Sequence, residues 1–316
     1  MKTGIFIYSE EKRKENLKLT LYFLFKNYNE TYNHPVKILH RYKWSNVHKE
    51  EIIMGIRESC RNLIEFMELP SDLFKINVDE QQLTRTINIK PTLDWGDKEE
   101  RIMNRFWTIE FWDIVKEYDF VMKLNDDTLI EEPIKEDLFK IIDVKDFNLL
   151  FNMLQIDCGV GNFGLKDYLQ LKFQEKKDEI NNYFNTSKIT DTTSIENIKQ
   201  LFKTITKKDY NKPEIEINQP VVCVDSFYIT KPSFWLDKEI KEILEQIDKL
   251  GYIFYYKWSL ASIISLITMV KEKEKISRCI FRMSNECHRG AYIDNDNSVK
   301  TRVPSKYTLS GCISSK

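Results

Sequence analysis

The residues best equipped for chemistry are the carboxylates of Lys123-Leu124-Asn125-Asp126-Asp127, which end the apolar run FVMKL. In an open α/β sheet, ligands bind beyond the carboxyl ends of the strands, so paired acids there are well placed. Two bare carboxylates would repel a diphosphate. They suit one only with a divalent cation between them, which holds the diphosphate and neutralises charge as a sugar–phosphate bond breaks. Mg²⁺ or Mn²⁺ fits such an oxygen-rich set. The same residues also favour turns for backbone-bonding reasons, which leaves a plain turn as the alternative. His288, in Glu286-Cys287-His288-Arg289, follows the strand-like ISRCIFRM and could complete a metal shell. Cys287-His288 does not suit a nucleophile–base pair, because neighbours on a strand point to opposite faces. Tyr252, Phe254, Tyr255, Tyr256 and Trp258 offer flat apolar faces with polar tips, as sugars require. The apolar run 260–270 beside them argues that most are core. CGVGNFG, ending at Gly164, lacks the strand-to-helix order of a dinucleotide fingerprint.

The elements that must position these groups alternate between β-rich runs and helical stripes, which predicts an α/β sheet with helices on its faces. GIFIYS (4–9) reads as a strand, and Leu17, Leu21, Leu24 and Tyr28 form one helical stripe. VKIL (36–39) is a second strand. Ile52, Ile56, Cys60, Leu63 and Met67 predict a helix, and LFKINV (73–78) a third strand. A helix carrying Trp107, Phe111, Ile114 and Tyr118 leads into FVMKL (120–124). NLLFNML (148–154) and VVCVDSFYIT (221–230) read as further strands, with a helix at Ile240, Ile243, Leu244 and Ile247. Residues 165–217 shift to Lys, Glu, Asn and Thr and are expected to be a solvent-exposed helical insertion within one domain spanning 1–289. Residues 290–316 are expected to be a polar tail.

Composition narrows the partners. Lys plus Arg is 48 and Asp plus Glu is 49, a net charge of −1, which argues against nucleic-acid binding through bulk charge. Apolar residues at 42% exclude a disordered chain, and 9 Gly with 8 Pro exclude a collagen-like one. The run 5–8 is too short for a signal-peptide core, and 260–270 falls short of the roughly 20 residues of a membrane span. The six cysteines show no metal-type spacing. The expectation is a soluble protein with reduced thiols in a cytoplasmic setting.

In their order along the chain, several segments resemble glycosyltransferase family 15, the fungal Kre2/Mnt1-type α-1,2-mannosyltransferases. Tyr-Asn-x-x-Tyr-Asn-His-Pro (28–35) resembles that family's opening, and Met103-Asn104-Arg105-Phe106 its Met-Cys-Arg-Phe. The segment from Tyr118 to Asp127 resembles its Tyr-Asp-Trp…Glu-Pro-Asp. Asp225-Ser226-Phe227-Tyr228 and the run from Gly251 to Trp258 resemble its Asn-Phe-Phe…Gly-Gly-Phe-Phe-Tyr-Glu-Arg-Trp. Glu286-Cys287-His288 falls where the family has Gly-Tyr-x-His. The match spans most of 4–289 and is thin within each segment.

The resemblance implies a GT-A-like fold with a central mixed sheet, and retaining transfer of mannose from GDP-mannose to a glycan or glycoconjugate acceptor with Mn²⁺ (or Mg²⁺). Asp127, with Asp126, takes the place of the metal-site Asp, and Asn125 replaces the family's Glu. His288 takes the place of the metal-site His. Arg105 stands for the family's Arg, expected to contact phosphate or acceptor. The relatives are anchored in the Golgi membrane, and no anchor is expected here. Departures fall on the sugar side: Gln219-Pro220-Val221 stands where the candidate nucleophile Glu would be, Leu260 replaces an acid, and Glu100 a Tyr. Asp225 is the nearest acid left for catalysis. The alternative is a weak or inactive transferase-derived protein that binds a sugar or nucleotide.

Overall fold

The computed structural model describes residues 1–90, 96–157, 160–188, 192–210, 215–285, 291–293 and 299–301. Its strands are β1 (Thr3–Tyr8), β2 (Val36–His40), β3 (Ile64–Glu68), β4 (Phe120–Leu124), β5 (Thr128–Ile130), β6 (Leu149–Phe151) and β7 (Leu154–Ile156). They continue as β8 (Phe184–Lys188), β9 (Glu216–Cys223), β10 (Phe227–Thr230), β11 (Ile276–Arg278), β12 (Met283–Asn285), β13 (Ala291–Ile293) and β14 (Val299–Thr301).

Among the described residues the main sheet has the order β11-β6-β10-β4-β1-β2-β3. β1 is parallel to β2 and β4, while β10 runs antiparallel to β4 and β6, so the sheet is mixed. Alternation along the central strands divides the core in two. Phe6, Val121 and Tyr228 face one helical layer, with Trp107, Trp235 and Trp258. Ile5, Ile7, Met122, Leu124, Phe227 and Ile229 face the other, with Leu17, Leu21 and Tyr28. Burial on both faces is why GIFIY and FVMKL read as unbroken apolar runs.

Four expectations change. The third strand is Ile64–Glu68, not LFKINV, where Ser71–Phe74 forms a 3₁₀ turn. Ile64–Glu68 is the sheet's edge strand, with Glu65 and Glu68 exposed. The expected helix through Ile52, Ile56, Cys60, Leu63 and Met67 is not one element: Ile52 lies in the helix Asn46–Met54, Cys60 and Leu63 in a 3₁₀ turn, and Met67 on β3. Residues 165–217 are not a solvent-exposed helical insertion. They contain the helices Leu165–Lys172, Lys177–Asn182 and Thr192–Thr206 and the strand β8. Leu165, Leu169, Ile180, Ile198 and Leu201 are buried in the same core as Trp258. Finally, part of the expected tail is structured, since β13 and β14 pair with each other and β13 pairs with β7 in a second sheet, β14-β13-β7-β9-β8.

No helix among the described residues is long and apolar enough to cross a membrane.

Candidate active site

β1 and β4 are parallel neighbours and β10 is antiparallel to β4, so the ends of β1 and β4 and the start of β10 meet at one edge. This edge holds Ser9 to Arg13, Asn125 to Asp127, and Asp225-Ser226. The turn is fixed by the backbone: Asn125 N donates to the Ser226 carbonyl at 2.9 Å. The chain therefore brings Asp225 beside the Asn-Asp-Asp turn although 98 residues or more separate them, as they separate Thr128 from Ser226.

Asp126 is buried at 5% exposure, and Ser9 Oγ donates to its Oδ2 at 2.8 Å. Arg13 forks onto it, Nε lying 3.0 and 2.8 Å from the two oxygens and Nη2 2.7 Å from Oδ1. Burial pushes the Asp126 carboxyl above its ordinary range, and Arg13 and Ser9 oppose the shift. Asp127 is 4% exposed and takes a 3.2 Å bond from Arg13 Nη2 on Oδ2. Its Oδ1 is shut off from solvent and accepts no hydrogen bond.

Lys123 is on the opposite face of β4 from Met122 and Leu124. Its buried ammonium donates to Asn125 Oδ1 at 2.5 Å and to the Asp225 carbonyl, and lies 3.7 Å from Asp225 Oδ2. Trp107 and Tyr228 cover it at 5.3 and 6.0 Å from their ring centres. Burial drives its pKa down, and attraction to Asp225, Asp127 and Asp126 works against that. The edge thus alternates three carboxylates with two cations. Such an arrangement can hold a polyanion, through a cation or through Arg13 directly, and can present a carboxylate to a positive centre.

A divalent cation needs hard oxygen donors, and the solvent-free, unbonded Asp127 Oδ1 is such an oxygen. Among the described residues no group of three or more His, Cys, Asp or Glu gathers to hold a metal. His288 lies outside the described residues. Before it, Asn285 of β12 pairs with Thr128.

Other sequence candidates fall elsewhere. Arg105 is buried in the helical layer, its Nε and Nη2 forked onto Asp248 at 2.7 and 2.8 Å, with Glu110 at 2.8 Å from Nη1. Its charge is engaged by two acids, not offered to a ligand. Gln219-Pro220-Val221 lies within β9, registered against β8 and β7. Of the aromatic set, Phe254, Tyr256 and Trp258 are buried. Tyr252 and Tyr256, with Phe163, Tyr168 and Phe202, line an open cavity of about 680 Å³. The residues missed from sequence were Ser9, Arg13 and Lys123. Ser9 and Arg13 follow a buried strand end, and that signal would have found them had β1 been taken as the neighbour of β4.

A mixed sheet with helices on both faces is a GT-A-like fold. The chain is similar over nearly its whole length to solved mannosyltransferases. It matches Ktr4p from S. cerevisiae at 16% identity and a TM-score of 0.68, covering 99% of this chain and 76% of that one. A GDP complex of the same protein matches at 15% identity and 0.68, covering 98% and 77%. Core-mannan synthase A (CmsA/Ktr4) from Aspergillus fumigatus, in its Mn/GDP form, matches at 12% and 0.69, covering 98% and 80%. No protein-family model and no curated protein matches the chain. The fold implied by the family 15 resemblance is the fold observed.

Proposed function

We propose that this protein is a divergent family 15 glycosyltransferase that moves a hexose from a nucleotide sugar to a glycan or glycoconjugate acceptor. The donor we propose is GDP-mannose, with retention at the sugar and a divalent cation, Mn²⁺ or Mg²⁺. The observation that carries this is the convergence of Asp126, Asp127 and Asp225 on one strand edge, in a fold shared with mannosyltransferases.

Asp127, through Oδ1, is the residue we propose to hold the cation, with His288 as a further ligand. When bound, the cation would neutralise charge on the departing diphosphate. Asp126 is not assigned to the ion in this scheme, because Ser9 and Arg13 occupy its oxygens in this structure. Asp225, 25% exposed, is the carboxylate we propose to face the sugar. It would stabilise positive charge at the anomeric carbon, or orient the acceptor hydroxyl if attack comes from the leaving-group side. Lys123 lies 3.7 Å from the Asp225 carboxylate and pins its backbone. We propose no ligand contact for Arg105.

A second reading is a protein that binds a nucleotide or sugar without turnover. It draws support from Gln219-Pro220-Val221, whose backbone is engaged in a strand ladder and offers no acid where the family has its candidate nucleophile. A screen of nucleotide sugars with Mn²⁺ separates the two. Release of free nucleotide, rising with a mannoside acceptor, supports the transferase. Tight nucleotide binding with no release supports the binder, and no binding to any nucleotide sugar removes both.

A further inference from the structure

We propose that Arg13 is a resident counter-cation of the Asp126-Asp127 pair that opposes divalent-ion binding at Asp127, so that ion binding requires its release. The proposal rests on the metal-dependent reading above.

Asp126 and Asp127 are consecutive, buried and on a short turn between β4 and β5, so neither can leave the edge. Two carboxylates so close and so little solvated need a positive partner. In this structure Arg13 is that partner for both: Nη2 bridges Asp126 Oδ1 at 2.7 Å and Asp127 Oδ2 at 3.2 Å. Arg13 is the solvent-facing member, its side chain 35% exposed against 7% and 4% for the two acids. The one carboxylate oxygen Arg13 leaves unbonded is Asp127 Oδ1. A divalent ion drawn to that oxygen meets the guanidinium charge already held on Oδ2, and the two cations repel. As the ion binds, the guanidinium swings outward. Its planar fork matches phosphate oxygens as well as carboxylate oxygens, so a diphosphate is its natural new partner. The nucleotide-free protein therefore binds the ion weakly, and the donor strengthens ion binding by taking Arg13 away.

The test is calorimetric titration of Mn²⁺ into the nucleotide-free protein, with thermal melts with and without Mn²⁺. The variants are Arg13→Gln, Arg13→Lys and Asp127→Asn. Arg13→Gln is expected to bind Mn²⁺ several-fold tighter than wild type. It should melt below wild type without Mn²⁺, because two buried carboxylates lose their partner, and Mn²⁺ should narrow that gap. Arg13→Lys, which keeps a charge but loses the fork, should fall between. Equal or weaker Mn²⁺ binding in both Arg13 variants, with a melting gap that Mn²⁺ leaves unchanged, overturns the proposal. If Arg13→Gln does not fold, Arg13→Lys decides alone, and affinity no higher than wild type counts against it. Asp127→Asn separates the two levels. If it abolishes Mn²⁺ binding while the Arg13 variants fail to tighten it, only the competition is wrong; if it leaves binding untouched, the metal reading of the edge falls too.

Discussion

At the scale of single residues, the two acids flanking Lys123 should behave differently when changed. Asp127→Asn keeps size and burial and leaves Arg13 forked on Asp126, so folding should survive. It removes the charge from the oxygen we assign to the cation. Mn²⁺-dependent nucleotide binding should therefore weaken at least tenfold, about 1.4 kcal/mol or more. Calorimetry with GDP and Mn²⁺ checks this, and wild-type affinity would remove Asp127 from the metal assignment. Asp225→Ala leaves the Lys123 bond to the residue-225 carbonyl in place, because that acceptor is backbone. Nucleotide binding should persist while transfer is lost. A fully active Asp225→Ala protein would return the catalytic carboxylate to an unknown position.

At the scale of elements, Arg105 is a tie between helices. It ends Lys98–Arg105 and grips Asp248 near the end of Lys238–Leu250. The two acids hold its charge on, raising its pKa against the burial that would lower it. Truncating Arg105 to Ala leaves the partner carboxylates unmatched beside the core, and stability should fall by about 3 kcal/mol. Denaturant unfolding measures the loss. Nucleotide affinity of the folded variant should stay at the wild-type level, whereas a specific fall in affinity would restore Arg105 to the site. A second tie is Asp137, which caps the helix Leu138–Val144 by accepting from Phe139 N at 3.0 Å and meets His34 Nε2 at 3.1 Å and Tyr28 Oη at 3.2 Å. Burial would raise the Asp137 carboxyl, but the bonds from His34, Phe139 and Tyr28 outweigh it and hold its pKa below the ordinary value. A depressed folded pKa means this stabilisation is complete above the ordinary carboxylate range and is lost as pH falls through the lowered value. Asp137→Ala should cost about 1–2 kcal/mol near neutrality. The difference from wild type should shrink in acid. A gap that stays constant from neutrality to strong acid would show that the charge of Asp137 contributes nothing.

At the scale of the whole molecule, both faces of the main sheet are covered, and Cys60 and Cys223 follow that burial. Cys60, Cys223 and Cys279 are free thiols. Burial pushes Cys223 up to about 12 and Cys279 up to about 12, so neither is a thiolate near neutral pH. Both should resist alkylation in the native protein and react at once on unfolding. Fast reaction of Cys223 in the folded protein would contradict its burial.

What the sequence determined by itself is what short-range pattern encodes. GIFIY and FVMKL announced buried central strands because unbroken apolar runs have no other stable place. Leu17, Leu21, Leu24 and Tyr28 announced a helix, and all four are buried on one layer, though the helix passes into a π turn at Phe25–Asn29. The Asn-Asp-Asp turn was legible because acids that end a buried strand have nowhere to point but the edge. Ile64–Glu68 was hidden because an edge strand exposes one flank and loses the apolar signature. The site needed tertiary structure because its members are far apart in the chain: 113 residues separate Arg13 from Asp126, and 102 separate Lys123 from Asp225. No local pattern marks Arg13 as a partner of Asp126 or Arg105 as a partner of Asp248. Strand order decided both, since it chose which charges would share a buried edge and which would be neutralised within the helical layer.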